Sequence, residues 1–317
     1  MSVRLKISAT ILFLEDNFEN LKNTINSISS EVDDIFVISD KNINNKNLNY
    51  NLIQNSKFDG DFSNYRNKVK EKLPDHLLLH LNCGETLETK NIKDYLDLEK
   101  NYNLNIIYDQ FIIKETRITP KKNFTFTNRV FEIIDCENCV DSIIKINATK
   151  TDKKNLNKYL IEWEKKEPLS HQVYYYKTIN NLYESNFEKF INDAEKLLFK
   201  SNLKEENELL IRYYLANVFL FKIKNEKKFT ENILTLLAKK PDMAEFWCLA
   251  GDFWYTKNNY EKAIYFYNFA LIASKYRNIN DNMFYMPEKQ NNYPEKMIKN
   301  CIKVKNHTET LLLKKNI

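Results

Sequence analysis

Residues 57–87 read KFDGDFSNYRNKVKEKLPDHLLLHLNCGETL. Four pieces follow one another in this stretch. An aromatic and acidic loop leads to a basic helix opened by Arg66-Asn67, then to an apolar strand at Leu77–Leu81, then to a polar turn ending in Glu85. A short apolar run of this kind reads as a buried strand. Gly60 and Gly84 flank it, two of only three glycines in 317 residues. A left-handed turn or a close backbone approach would need them there.

Upstream, residues 4–14 (RLKISATILFL) form a second apolar run of strand length. Glu15-Asp16-Asn17 then cap a helix over Phe18–Ser29, with Phe18, Leu21, Ile25 and Ile28 at near-helical spacing. Another buried strand follows at Ile35–Ile38. Strand, helix and strand at these distances predict a parallel βαβ unit. Ligands of such sheets sit at the carboxyl ends of the strands. Those ends are Leu14-Glu15-Asp16, Ser39-Asp40 and Asn82–Glu85.

The block Asp61-Phe62-Ser63-Asn64-Tyr65-Arg66-Asn67, followed by a strand and an acidic turn, resembles the nucleotide-sugar half of family 2, GT-A-type glycosyltransferases. Members of that family carry Asp-Phe-Ser-x-x-Arg-Asn and then a strand ending in Asp-x-Asp-Glu. Here the second element is Asn82-Cys83-Gly84-Glu85, so both metal-facing aspartates are replaced. The resemblance implies that Asp61, Ser63, Arg66 and Asn67 shape the donor pocket and that Asn82 and Glu85 face the diphosphate. It also implies that Ser39 or Asp40 touches the nucleoside, Asp40 standing one residue later than the family's aspartate. Manganese or magnesium would bind through Asn82 and Glu85, a poor oxygen set for a hard cation. Without metal the leaving-group charge falls to cationic side chains, first to Arg66, whose fork matches phosphate. Arg66 pairing with Asp59 or Asp61 to pin the loop is the structural alternative. Asn128-Arg129-Val130-Phe131 resembles the family's later Arg-x-Phe element, but the His-Glu pair that should follow is absent. A transfer base must lie within hydrogen-bond reach of the acceptor; Asp141 is the candidate, with Asp135 and Glu137 behind it, and Glu85 is the second catalytic carboxylate.

Further along, Asn103–Ile112 reads as one strand. His76 and His80 bracket the third strand and are expected as edge or core residues rather than a metal pair. Cys136-Glu-Asn-Cys139 is a lone CxxC with no second pair and no histidine nearby, read as a loop rather than a zinc or redox site. From about Asn155 the chain turns helical and aromatic. Residues 244–271 match the tetratricopeptide pattern at Trp247, Gly251, Trp254, Tyr260, Ala263, Tyr267 and Ala270. Tyr183–Leu198 reads as a second copy and Leu209–Leu237 as a looser third; about three are needed for a stable stack.

Composition narrows the classes. Lys+Arg 48 against Asp+Glu 43 gives +5, spread along the chain, which is no nucleic-acid signature. Glycine far below the average of about 7% excludes a glycine-rich phosphate cradle. No signal peptide and no apolar window near the roughly eighteen residues of a span is expected. Five scattered cysteines suggest a reducing compartment, hence a cytoplasmic protein.

The expected protein is therefore α/β then all-α. A truncated GT-A-like domain at 1–150 is followed by TPR-like repeats at 155–317. It would move a hexose from a nucleotide-sugar, UDP-linked by expectation, to a protein or glycan acceptor. The alternative is a catalytically inactive scaffold that binds a protein partner through its repeats.

Overall fold

The computed structural model describes residues 5–14, 17–43, 47–54, 57–109, 111–130, 132–148, 156–168, 170–200, 203–278 and 283–315. The chain divides into two units, 1–177 and 178–317. The first is α/β and the second all-α, in the order that the sequence predicts.

Among the described residues the first unit has ten strands: β1 (Ile7–Leu12), β2 (Asp34–Ser39), β3 (Asn51–Gln54), β4 (Leu77–Asn82), β5 (Thr86–Leu87), β6 (Asn101–Ile107), β7 (Ile112–Pro120), β8 (Thr125–Thr127), β9 (Ile133–Asp135) and β10 (Cys139–Asn147). Eight of them form one mixed sheet in the order β3-β2-β1-β4-β7-β6-β10-β5, and β8 pairs with β9 separately. β1 runs parallel to both β2 and β4, as the apolar runs predict. Every residue of β1 is buried, as is each of Leu77–Leu81. Side chains alternate between the two faces of a strand. Thus Leu77, Leu79 and Leu81 join one core with Ile7, Ala9 and Ile11, while Leu78 joins the other with Leu12, Tyr65 and Val69.

Helix α1 (Phe18–Ile28) starts at Asn17, whose side chain accepts from the Glu19 amide at 2.9 Å. Glu15 and Asp16, also expected at this end of β1, lie outside the described residues. Helix α2 (Phe62–Val69) begins four residues before Arg66. Asp61 is its N-cap, accepting from the Asn64 amide at 2.9 Å, so the helix starts where a side chain can satisfy a free N–H. The single strand expected over Asn103–Ile112 is a hairpin instead. β6 ends at Ile107, Tyr108 N–H donates to Phe111 C=O at 2.9 Å, and the chain returns as β7 antiparallel to both β6 and β4.

Helix α3 (Leu156–Lys166) closes the first unit. Leu160 and Trp163 are buried against Val130 and Phe62, which places α3 with the sheet rather than with the repeats. Helix α4 (His171–Tyr183) spans the division between the units.

In the second unit the helices are α5 (Phe187–Lys200), α6 (Glu205–Val218), α7 (Glu226–Lys239), α8 (Ala244–Thr256), α9 (Tyr260–Tyr276), α10 (Pro287–Gln290) and α11 (Asn292–Lys315). α8 and α9 are the pair that the repeat pattern marks. Asn259 caps α9 by accepting from the Lys262 amide at 3.1 Å. Ala263, Tyr267 and Ala270 are fully buried on α9. Against this pair, α11 adds Met297, Ile298 and Cys301. No helix among the described residues is long and apolar enough to cross a membrane.

Candidate functional site

The carboxyl ends of β2 and β4 carry Ser39, Asp40, Asn82 and Glu85, and α2 with its N-cap carries Asp61, Ser63, Arg66 and Asn67. Ser39 is fully buried and its Oγ accepts from the Lys41 amide at 3.1 Å, so it shapes the turn. Asp40 Oδ2 accepts from the Phe58 amide at 3.4 Å. Its Oδ1 is buried with no hydrogen-bond partner. The Tyr65 hydroxyl, on α2, is likewise buried and unpartnered. Burial and, after it, the negative charge of Asp40 push the Tyr65 phenol up to about 12. One acceptor after β2 and one donor on α2 are thus desolvated, close enough for the Asp40 charge to act on the phenol, and neither is satisfied. Buried polar groups are rarely left so.

The Asp61–Asn67 block is engaged side chain by side chain. Asp61 Oδ1 accepts from Ser63 Oγ at 3.0 Å, and Oδ2 pairs with Arg129 at 2.8 Å. Asn67 brackets Phe126, donating to its carbonyl at 2.8 Å and accepting from its amide at 3.0 Å. Arg66 is 3% exposed and does not pair with Asp59 or Asp61. It donates to Glu132 Oε1 at 3.0 Å, to Leu81 C=O at 3.0 Å and to Asn82 Oδ1 at 2.6 Å. Its remaining Nη1 is buried without a partner.

At the end of β4 the expected metal ligands hold arginines. Arg117, from β7, forks onto Glu85 with Nη2 to Oε1 at 3.0 Å and Nη1 to Oε2 at 3.2 Å. The same carboxylate accepts from the Asn82 amide at 2.7 Å and from Asn82 Nδ2 at 3.2 Å. Asn82 Oδ1 in turn belongs to Arg66. Arg117 also pairs with Glu115 at 2.8 Å. A divalent cation needs several free oxygens, and both Glu85 oxygens and Asn82 Oδ1 already accept from other groups. Among the described residues, no three of His, Cys, Asp and Glu gather where they could hold a metal ion. As packed here, Asn82 and Glu85 do not fit a manganese or magnesium site. Burial lowers the affinity of Arg66 for its proton, more than Glu132 restores it. Burial acts the same way on Arg117, but Glu85 and Glu115 outweigh it and raise the pKa. Both guanidiniums stay charged.

His80 lies beneath this cluster, 1% exposed, with Nδ1 3.0 Å from Thr10 Oγ1 and Nε2 3.0 Å from Thr119 Oγ1. Burial, then the charges of Arg66, Arg117 and Lys70, hold it well below the usual histidine value, so it is neutral in the fold. The unfolded chain takes up a proton here near pH 6.5 and the folded chain does not. Stability should therefore be full above about pH 6.5 and fall as the pH drops below it, by up to about 1.4 kcal/mol per pH unit for one proton. His80→Gln should flatten that slope in urea denaturation midpoints measured from pH 7 to pH 5; an unchanged slope would contradict the assignment.

Asp141 is not brought to the cluster. It lies on β10, three strands from β4, which is about 14 Å at the usual strand spacing. Lys114 and Asn103 hydrogen-bond its two oxygens. Partial burial pushes its pKa up, but those bonds and the Lys114 charge outweigh burial and leave it below the usual value. It is a weak base where it stands. Phe131 of the Arg-x-Phe element is outside the described residues. Arg117, Glu115, Glu132 and Tyr65 are cluster residues that the sequence reading did not single out. The alternation Glu115, Arg117, Thr119 along β7 is the signal that could have found the first two.

No family model matches the chain, and no curated protein matches it. Among solved structures, S. aureus TarS 1-349 in complex with UDP-GlcNAc is similar at 11% identity and a TM-score of 0.37, over 93% of this chain and 91% of that one. S. aureus TarS without that truncation is similar at 11% identity and a TM-score of 0.35, over 93% of this chain and 55% of that one. Yeast Tom70 is similar at 19% identity and a TM-score of 0.33, over 41% of this chain and 26% of that one. The chain thus spans about a quarter of Tom70 and about half of the longer TarS chain. Likenesses this distant fix neither ligand nor activity.

Proposed function

We propose that the chain is a glycosyltransferase-type protein that binds a nucleotide-sugar at the carboxyl edge of β1, β2 and β4 without a divalent cation. The reaction class is transfer of a hexose to a protein or glycan acceptor, with the helical repeats as the part that binds acceptor or partner. The observation that carries the reading is the unsatisfied acceptor after β2 and the unsatisfied donor on α2. Asp40 Oδ1 can accept and Tyr65 Oη can donate, and neither has a partner in the fold. A uracil offers an imide N–H and a carbonyl oxygen, the chemical complement of an acceptor and a donor that are both closed off from solvent in the free protein. A pyrophosphate would reach Arg66 and Arg117 only by displacing the carboxylates that hold them, Glu132, Glu85 and Glu115. No general base is assigned to Asp141.

One observation favours the scaffold reading. Asp61, Ser63, Arg66, Asn67 and Glu85 all have structural partners, so their presence together is explained by folding alone. Tyr65→Phe separates the two readings. It deletes a hydroxyl that bonds to nothing in the free protein, so unfolding stability should hold or rise. Calorimetric affinity for UDP should fall about 2- to 10-fold, the worth of one neutral hydrogen bond. A variant that binds UDP as the parent does, or a parent that binds no UDP, would remove the nucleotide reading and leave the scaffold.

A further inference from the structure

Cys136 and Cys139 stand apart from the cluster described above. Cys136 follows β9 and Cys139 opens β10, with Glu137-Asn138 between them. The turn is fixed from both sides. Asn138 takes a left-handed conformation with φ 53°, and Asn101 Nδ2 donates to the Glu137 carbonyl at 2.7 Å. In this turn the two Sγ atoms approach to 2.8 Å. That is well inside the roughly 3.5–4.0 Å at which even two carbon atoms sit comfortably. It exceeds the roughly 2.04 Å of a disulfide bond by only about 0.8 Å. Both cysteines are partly exposed, whereas Cys83, Cys248 and Cys301 are buried.

The neighbourhood offers sulfur little else to do. Thr116 Oγ1 lies 3.5 Å from Cys139 Sγ and 3.9 Å from Cys136 Sγ, and its proton goes to Asn103 Oδ1 at 2.8 Å. A metal would need further ligands, and the described residues bring no third His, Cys, Asp or Glu into a ligating group with the pair. A bond closing so short a loop removes little chain entropy, so a staple is a weak use of it.

We propose that Cys136 and Cys139 form a reversible dithiol–disulfide pair that exchanges with small organic disulfides. One cysteine thiolate attacks a sulfur of the external disulfide, forming a mixed disulfide and expelling one external thiolate. The other cysteine, deprotonated in turn, attacks the protein sulfur of that mixed bond and expels the second. The pair loses two electrons and two protons, the external disulfide gains both as two thiols, and the reverse reaction restores the dithiol. Burial and then the neighbouring Cys139 push the Cys136 thiol up to about 12, so attack by Cys136 quickens as pH rises.

The test uses the full chain equilibrated with mixtures of reduced and oxidised glutathione, quenched with acid, unfolded, alkylated and digested with trypsin. Both cysteines fall in one peptide, residues 130–145. The expected result is an unalkylated peptide lighter by two hydrogen atoms, with Cys83, Cys248 and Cys301 alkylated throughout. Cys136→Ser should instead leave Cys139 holding one glutathione. The folded chain should reach half-oxidation at a lower share of oxidised glutathione than the same chain in denaturant, because the fold brings the sulfurs together. A peptide that keeps both alkyl groups at every mixture would overturn the proposal. So would glutathione on either cysteine of the parent without the internal bond, or equal pairing in the folded and unfolded chain.

Discussion

Arg117→Met should destabilise the first unit by about 3–5 kcal/mol, the usual cost of removing one partner from a buried ion pair. Met replaces much of the aliphatic stem, so the loss is chiefly electrostatic. Glu85 is 5% exposed and would keep its bonds from Asn82 while losing both guanidinium contacts. Glu115, which faces the same guanidinium, would lose its ion pair as well. The double variant Arg117→Met, Glu85→Leu should recover part of the loss, since replacing both partners by apolar groups is often near neutral. Urea denaturation of the parent, both single variants and the double variant checks this. A loss below about 1 kcal/mol for Arg117→Met would place the pair among exposed ion pairs instead. The outcome also bears on function. A guanidinium holding both oxygens of Glu85 occupies what a metal would need.

Gly251→Ala should destabilise the second unit by about 1–3 kcal/mol, the usual cost of overpacking a filled interface. Two effects oppose each other at this position. Alanine is favoured over glycine inside a helix by about 1 kcal/mol. The added Cβ would, however, stand 2.6–2.9 Å from three carbons of the Tyr267 ring. That ring is fully buried and cannot swing away. Its hydroxyl donates to Asp252 Oδ1 at 2.7 Å, and the Tyr293 hydroxyl reaches the same oxygen at 2.5 Å. Accommodation would require α8 and α9 to separate, at the cost of contacts made by Ala263 and Ala270. The clash should outweigh the helix gain. Thermal unfolding of the variant would contradict this if its midpoint stood at or above that of the parent.

How much of this was legible depends on how far apart the interacting residues lie in the chain. The α8–α9 pair was read correctly because Gly251 and Tyr267 are sixteen residues apart within one repeat. The parallel core was legible as well, since Ile7–Leu12, Asp34–Ser39 and Leu77–Asn82 are apolar runs of strand length between polar breaks. The β6–β7 hairpin was not. Only Asp109-Gln110 interrupt the apolar residues there, and without glycine or proline they do not mark a reversal by themselves. Antiparallel β7 brings Arg117 to Glu85 across thirty-two positions, a pairing no local pattern announces. For the Asp61–Asn67 block the residue types were visible and their partners were not. Asp61 meets Arg129, Arg66 meets Glu132 and Asn67 meets Phe126, all contacts made by tertiary folding. A helical segment likewise does not say which body it joins, and α3 proves to belong with the sheet.

The measurement closest to the central claim is calorimetric titration of the full chain with UDP, once with manganese and once with a chelator. The proposed site holds the nucleoside through Asp40 and Tyr65 and has no place for a divalent cation, so binding should appear in both titrations with the same dissociation constant. Binding that appears only with manganese, or no binding in either titration, would contradict a metal-independent nucleotide site.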